Sequence, residues 1–276
     1  MLDLDASLGR LGSPLVVREG DVVARTLDVV DEAGVSEVHL TSDAGETAQR
    51  REAALRQALA AHGVAFHVHP GHAVVDPGEI APPGKQVYSV YTPYQRAWTQ
   101  APRRAVLAPP ARLTPDTTID HGPRPEPATV RPDSPELPPG GETPGRSRLE
   151  SFLSRGVRRY ADLRNDLAAD ATSRLSAYLR FGCVSANEVA ARAGAAGAGE
   201  LVRQVAWRDF YGQLLAHDPA LVRRDLRAPP DDVPPPPTTP TRPLKLGGWA
   251  APVSRWSTLA CVSCSARGSC TTERAW

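Results

Sequence analysis

The chain has 276 residues, a formal net charge of +1 and only 5% aromatic residues. No apolar run approaches the roughly 20 residues of a membrane span. No basic stretch followed by an apolar one opens the chain, and a single Cys before residue 260 excludes a disulfide scaffold. What remains is the expectation of a cytoplasmic protein of one or two domains. Thirty Arg stand against two Lys (Lys85 and Lys245), the mark of a GC-rich gene. Twelve of the 28 Pro lie in 101–150 and nine in 228–252, so two Pro-rich stretches break the chain.

In chain order, Leu15–Val17 is a short apolar run, read as a strand. Val22, Val23, Leu27 and Val30 recur at helical spacing, and Gly34 is placed to end that helix. Val35–Leu40 predicts a strand, Ala44–His62 a second helix with Leu55 and Leu59 on its apolar face, and Val64–Val68 a third strand. Strand, helix, strand, helix, strand with short joints predicts a parallel α/β sheet. The block has about half the length of a doubly wound domain, and no phosphate-binding Gly-rich loop follows any strand. His67 and His69 would share a strand face, with His72 close behind. No carboxylate or Cys sits at supporting spacing along the chain, so they read as strand-end polar residues, and no metal site is predicted.

Val87–Trp98, VYSVYTPYQRAW, predicts a packed aromatic segment that closes the α/β block. Residues 101–147 read as a Pro-rich linker. From Arg148 the pattern turns helical: Leu149, Phe152, Leu153, Val157, Tyr160 and Leu163 trace one face. Ser185 with Glu188 forms a predicted capping box. Val202, Val205, Ala206, Phe210 and Leu214 mark a further helix, stopped near Asp218-Pro219. Residues 146–208 hold eleven Arg and six acidic residues, a local net charge of +5. Concentrated guanidinium suits phosphate, although a solvated helical surface accounts for the charge equally well. Thr172-Ser173-Arg174-Leu175-Ser176 offers hydroxyl and guanidinium donors near a helix start, a credible cradle for a pyrophosphate. Such strings also serve as plain N-caps.

Taken together, VYTPYQRAW (Val90–Trp98), the Tyr160–Arg164 stretch, TSRLSAYLRFGCVS (Thr172–Ser185) and RQVAWRDFYGQLL (Arg203–Leu215) resemble the DNA photolyase/cryptochrome family in order and spacing. The resemblance implies an α/β plus all-α architecture: a partial Rossmann-like parallel α/β antenna domain over 1–100, a linker over 101–147, and a truncated helical FAD-binding domain over 148–226. It implies that Tyr160, Thr172, Ser173, Arg174, Leu175 and Ser176 bind FAD, and that Arg164, Gln204, Trp207, Arg208 and Tyr211 face DNA. It places Trp207 against a flipped pyrimidine dimer and Gln204 against the pyrimidine edges. The implied activity is light-driven, FAD-dependent repair of cyclobutane pyrimidine dimers by a monomer, a carbon–carbon lyase, with a cryptochrome-like blue-light photoreceptor as the alternative. The implied partner is DNA containing pyrimidine dimers. Many family members carry Glu at the Gln204 position, which leaves the lesion type open. The family's opening strand is missing. No tyrosine of the usual antenna pattern falls within Thr41–Arg51, which leaves the antenna chromophore open.

After about Arg227 the family pattern stops. The tail has four consecutive prolines (Pro234–Pro237) and Cys261, Cys264 and Cys270. Cys-x-x-Cys is a zinc-ligand spacing, but a fourth ligand is lacking. Codons written for Pro252–Trp276 and read one nucleotide earlier give GFPVVDAGMRQ followed by LLGTGFMHNRARM. These strings match the family's FAD-domain signature. The tail over 227–276 is therefore expected to be a disordered product of a frameshift between about Arg227 and Pro243. On that expectation the chain as written neither holds FAD tightly nor repairs DNA.

Overall fold

The computed structural model describes residues 1–13, 15–114, 119–123, 137–166 and 168–226. The expected out-of-frame tail over 227–276 lies outside the described residues. One compact unit takes residues 1–129 and 139–220, and a second takes 130–138 and 221–276. The first unit holds both strands and every α-helix among the described residues.

Helix α1 (Leu2–Arg10) opens the chain, where no element was expected although Leu4, Leu8 and Leu11 follow helical spacing. Helix α2 (Val22–Ala33) starts at Asp21, whose carboxylate accepts the Ala24 N–H, and ends at Gly34. Gly34 has φ +60°, the left-handed cap that glycine adopts without a Cβ penalty. Strand β1 (Glu37–Thr41), helix α3 (Glu46–Ala61) and strand β2 (Ala65–His69) follow close to their predicted places. The strands pair in parallel with Glu37 opposite Ala65 and Thr41 opposite His69. Val30, Leu55, Leu59 and Val64 form the buried centre of this layer, with Val38 and Phe66 packed against it.

Among the described residues the sheet has two strands rather than three. Leu15–Val17 lies outside the ladder, and the Val17 N–H donates to the carbonyl of His121. An apolar triplet supplies too short a ladder to hold a sheet edge on its own.

Helix α4 (Tyr91–Gln100) buries Tyr94 and Trp98, as the aromatic segment predicts. The helical face expected from Leu149 to Leu163 is interrupted. Helix α5 (Glu142–Ser151) passes into a π-helical turn at Phe152–Gly156 before α6 (Val157–Leu163). The helical region thus begins six residues ahead of the predicted boundary. Gly145 of α5 lies against the Tyr178–Val184 turn: a Cβ there would sit 2.7 Å from Val184 Cγ2. Helix α7 (Ser176–Arg180) is a bare turn, followed by α8 (Ala186–Ala195) and the long α9 (Gly199–His217). The capping box at Ser185 does not form. Its N-cap side chain makes no cap bond, and Glu188 turns to Arg146 at 3.0 Å instead. A guanidinium offers that carboxylate a stronger, charge-assisted partner than one backbone N–H.

Candidate functional site

Helix α9 carries most of the residues expected to face DNA, and its periodicity separates them. Residues 204, 207 and 211 follow helical spacing along one side, with 208 beside them, while 209 and 213 fall along another. A helix cannot present eight consecutive residues to one partner, so the stretch 204–211 divides.

The first side is aromatic. The Tyr91 ring, at the start of α4, lies face to face on the Trp207 indole, with centroids 3.5 Å apart and planes within 7°. Tyr211 lies 5.7 Å from the same indole, inclined by 18°. Phe210 sets its edge against both Tyr91 and Trp207 at 5.7 Å. The Tyr91 hydroxyl donates to the Arg203 carbonyl at 3.1 Å, one turn before Trp207. Burial pushes that phenol up to about 12, so it stays a donor. Arg203 is half exposed beside Glu200, and Gln204 is half-buried.

The second side is buried and polar. Asp209 is 2% exposed. Its Oδ2 accepts the Val74 N–H at 2.8 Å, the Val75 N–H at 3.2 Å and the Trp98 indole N–H at 2.9 Å. Burial raises its carboxyl, against the pull of those donors. One turn on, Gln213 donates to the Tyr88 carbonyl at 2.6 Å and accepts the Tyr88 N–H at 3.2 Å. Arg208, beside the first side, reaches across to this group with its side chain. Its guanidinium donates to the His72 carbonyl at 2.8 Å, meets His72 Nε2 at 2.9 Å and reaches Asp209 Oδ1 at 3.3 Å. Burial first, then the Arg208 charge, holds the His72 imidazolium below its usual range. That imidazole is therefore a neutral acceptor. Arg208, expected at DNA, is tied in this way to His72. Arg164 is likewise held, paired with Glu200 at 3.2 Å between α6 and the first turn of α9.

The expected cofactor residues lie elsewhere in the helical region. Tyr160 is buried edge-on against Phe152 at 5.4 Å. Arg148 of α5 donates to the carbonyls of Ser173 at 2.9 Å and Thr172 at 3.1 Å, fixing the segment's path. Arg174 has φ +52° and clasps Asp170 through Nε at 2.7 Å and Nη2 at 2.6 Å. A carboxylate thus already neutralises the guanidinium expected to meet a pyrophosphate. Leu175 is buried at 1% exposure, and Ser176 opens α7. Beside this segment lies a cleft of about 240 Å³ lined by Arg148, Ser151, Arg155, Arg159, Asp170 and Thr172. Its donors are guanidinium and hydroxyl groups, which suit a phosphate. It is smaller than the roughly 300–1,000 Å³ of sites that enclose whole ligands of drug size.

The histidines make a closer group than their spacing suggests. His39 on β1 joins His67 and His69 of β2 on one exposed sheet face, with centroids 4.9 and 5.1 Å from it. Glu37 stands beside His39 at 3.2 Å, the carboxylate that reading along one strand does not reveal. No group of three His, Cys, Asp or Glu among the described residues is arranged to hold a metal ion.

Residues 1–115 match the DNA photolyase family. The chain is 40% identical over 231 residues to a deoxyribodipyrimidine photo-lyase of Streptomyces griseus, covering 81% of this chain and 50% of that protein. The chain belongs to the DNA photolyase family. A cryptochrome DASH of Natronomonas pharaonis is 31% identical over 232 residues, covering 76% of this chain and 48% of the relative. The crystal structure of a class III photolyase from Agrobacterium tumefaciens superposes with a TM-score of 0.73 at 25% identity, covering 81% of this chain and 49% of that one. The chain spans about half the length of the curated relatives it matches. Its mixture of a small parallel sheet and a predominant helical region is the photolyase architecture in its N-terminal part. No helix among the described residues is long and apolar enough to cross a membrane.

Proposed function

We propose that the described residues form the lesion-reading side of a light-driven deoxyribodipyrimidine photolyase, whose substrate is DNA containing cyclobutane pyrimidine dimers. The observation that carries this reading is the Trp207 indole, set among Tyr91, Tyr211 and Phe210 on α9 with Gln204 one turn before it. A dimer inside a duplex is out of reach, and a damaged pair is cheap to flip out. An indole face then holds the flipped base by stacking, worth about 1–3 kcal/mol per base. The Gln204 amide, one turn before Trp207, would bond the pyrimidine edges, and Tyr211 extends the apolar platform. Arg164 and Arg208 act through α9, which they pin in place, rather than by direct phosphate contact.

The donor set at 148–176 fits the phosphate-bearing part of FAD. Arg155, Arg159 and the hydroxyls of Thr172, Ser173 and Ser176 would hold it, with Tyr160 and Leu175 as the buried wall behind. FAD supplies, when bound, the light-driven electron transfer that opens the cyclobutane ring. With Arg174 neutralised by Asp170 and a cleft of about 240 Å³, this wall holds flavin weakly. A purified chain carrying stoichiometric flavin would contradict that part of the reading. In the same proposal, residues 227–276 are read out of frame, and resequencing the locus tests it.

The deciding experiment is binding of the full chain to a duplex with one thymine dimer and to the undamaged duplex. The dimer is expected to bind about tenfold more tightly, and Trp207→Ala to abolish the difference. Equal binding of both duplexes by the unaltered chain favours the second reading, a cryptochrome-like photoreceptor, for which the similarity to a cryptochrome DASH speaks.

A further inference from the structure

A flat ring stacked 3.5 Å from an indole leaves no space for a third ring on that side, since aromatic planes are in van der Waals contact at that separation. Tyr91 occupies one face of Trp207 in this way, with planes 7° apart. Two contacts and its place in the helix keep it there. Its hydroxyl donates to the Arg203 carbonyl at 3.1 Å. The Phe210 edge meets it at 81°. Its place as the first residue of α4 fixes its backbone. The helix that bears it is anchored from below, because Trp98 donates to the buried Asp209 of α9 at 2.9 Å.

We propose that Tyr91 is a positioning residue that backs Trp207, holding its ring plane so that only the opposite indole face takes a flipped base. The proposal rests on the reading of Trp207 as the stacking face. It adds a residue from another helix, more than one hundred positions away in sequence, and assigns each indole face a role. An indole on a helix surface otherwise samples several rotamers, and each must be frozen out on binding. Tyr91 removes that freedom beforehand. Its phenol, pushed up to about 12 by burial, keeps the Arg203 bond across the ordinary pH range. The function asked of Tyr91 is the flat ring first and the hydroxyl second.

Titrations of the full chain with dimer-containing and undamaged duplexes test this, with thermal unfolding recorded for every variant. Tyr91→Leu keeps apolar volume and loses the parallel face. It is expected to lower the preference for the dimer about tenfold with an unfolding midpoint close to that of the unaltered chain. Tyr91→Phe keeps the ring and is expected to restore the preference to within about threefold. Trp207→Ala separates the two claims. If Trp207→Ala loses the preference while Tyr91→Leu keeps it, the backing role is wrong and the stacking role of Trp207 stands. If Tyr91→Leu binds the dimer more tightly, Tyr91 blocks the face and the proposal is overturned. If the unaltered chain shows no preference, or Trp207→Ala keeps it, the reading of Trp207 fails and the role of Tyr91 with it.

Discussion

The junction of α9 with residues 72–98 and the cradle at residues 148–176 are both polar, yet they are built in opposite ways. At the junction, one carboxylate collects three N–H donors and is 2% exposed, and Gln213 closes a two-way bond with Tyr88. These partners lie 111 to 135 residues away along the chain. At the cradle, the bonds span far less chain: Arg174 to Asp170 and Arg155 to Ser151 four residues apart, Arg148 to carbonyls 24 and 25 residues on. The junction is finished within the described residues and serves to aim α9. The cradle is a cationic surface whose side chains still have room for an anion. A buried polar network fixes geometry because leaving any member unpaired is costly, whereas an exposed pair contributes little and yields readily.

The contrast breaks first at Asp209. Asp209→Ala strands the Val74, Val75 and Trp98 donors and the Arg208 charge. It is expected to cost about 3 kcal/mol, a fall of roughly 10 °C in the unfolding midpoint. Chemical denaturation of the variant beside the unaltered chain measures it. The pH dependence should carry the same signature. Burial raises the folded-state pKa of Asp209 above its unfolded value near 3.8. The folded state therefore binds the proton more tightly, so this group's contribution to stability is greatest below that value and falls as pH rises through the folded pKa. The difference in unfolding free energy between the unaltered chain and Asp209→Asn should follow that slope. A difference independent of pH would show that Asp209 does not titrate on folding.

A smaller effect of opposite sign is expected next to it. The Tyr94 ring is 1% exposed and its hydroxyl has no partner among the described residues. Burial and the nearby Asp209 charge hold that phenol well above its usual range. Tyr94→Phe removes an unpaired buried hydroxyl and should stabilise the chain by about 1 kcal/mol, read from the denaturant midpoint. The smallest effect belongs to the cradle. Arg174→Ala breaks a partly exposed ion pair and should change stability by no more than about 0.5 kcal/mol.

Much of the fold was legible because its signals are local. The apolar spacing of Val23, Leu27 and Val30, with Gly34 behind it, reports a helix and its cap without help from the rest of the chain. Leu15–Val17 reads as a strand by the same local test and lies outside the ladder, because strand pairing depends on neighbours that composition does not reveal. The site was legible unevenly. Trp207 and Gln204, singled out by the family resemblance, share one side of α9. Arg208 starts from the same side, and its long side chain bends away to His72 and Asp209. Asp209 and Gln213 went unread because a polar residue among Val205, Phe210 and Leu214 resembles an ordinary surface position. Their spacing of four on an otherwise apolar face was the available signal. Tyr91 was visible only as one aromatic residue in a dense run. Its stacking partner lies 116 positions on, and no periodicity links the two.

The central claim is that Trp207 takes a flipped base. A duplex carrying one thymine dimer, with 2-aminopurine in the opposite strand across from it, tests this most directly, because unstacking brightens that base. Adding the full chain should raise the fluorescence in proportion to binding, and Trp207→Ala should bind without the rise. An unchanged signal at saturating protein, or an equal rise with Trp207→Ala, would contradict the account.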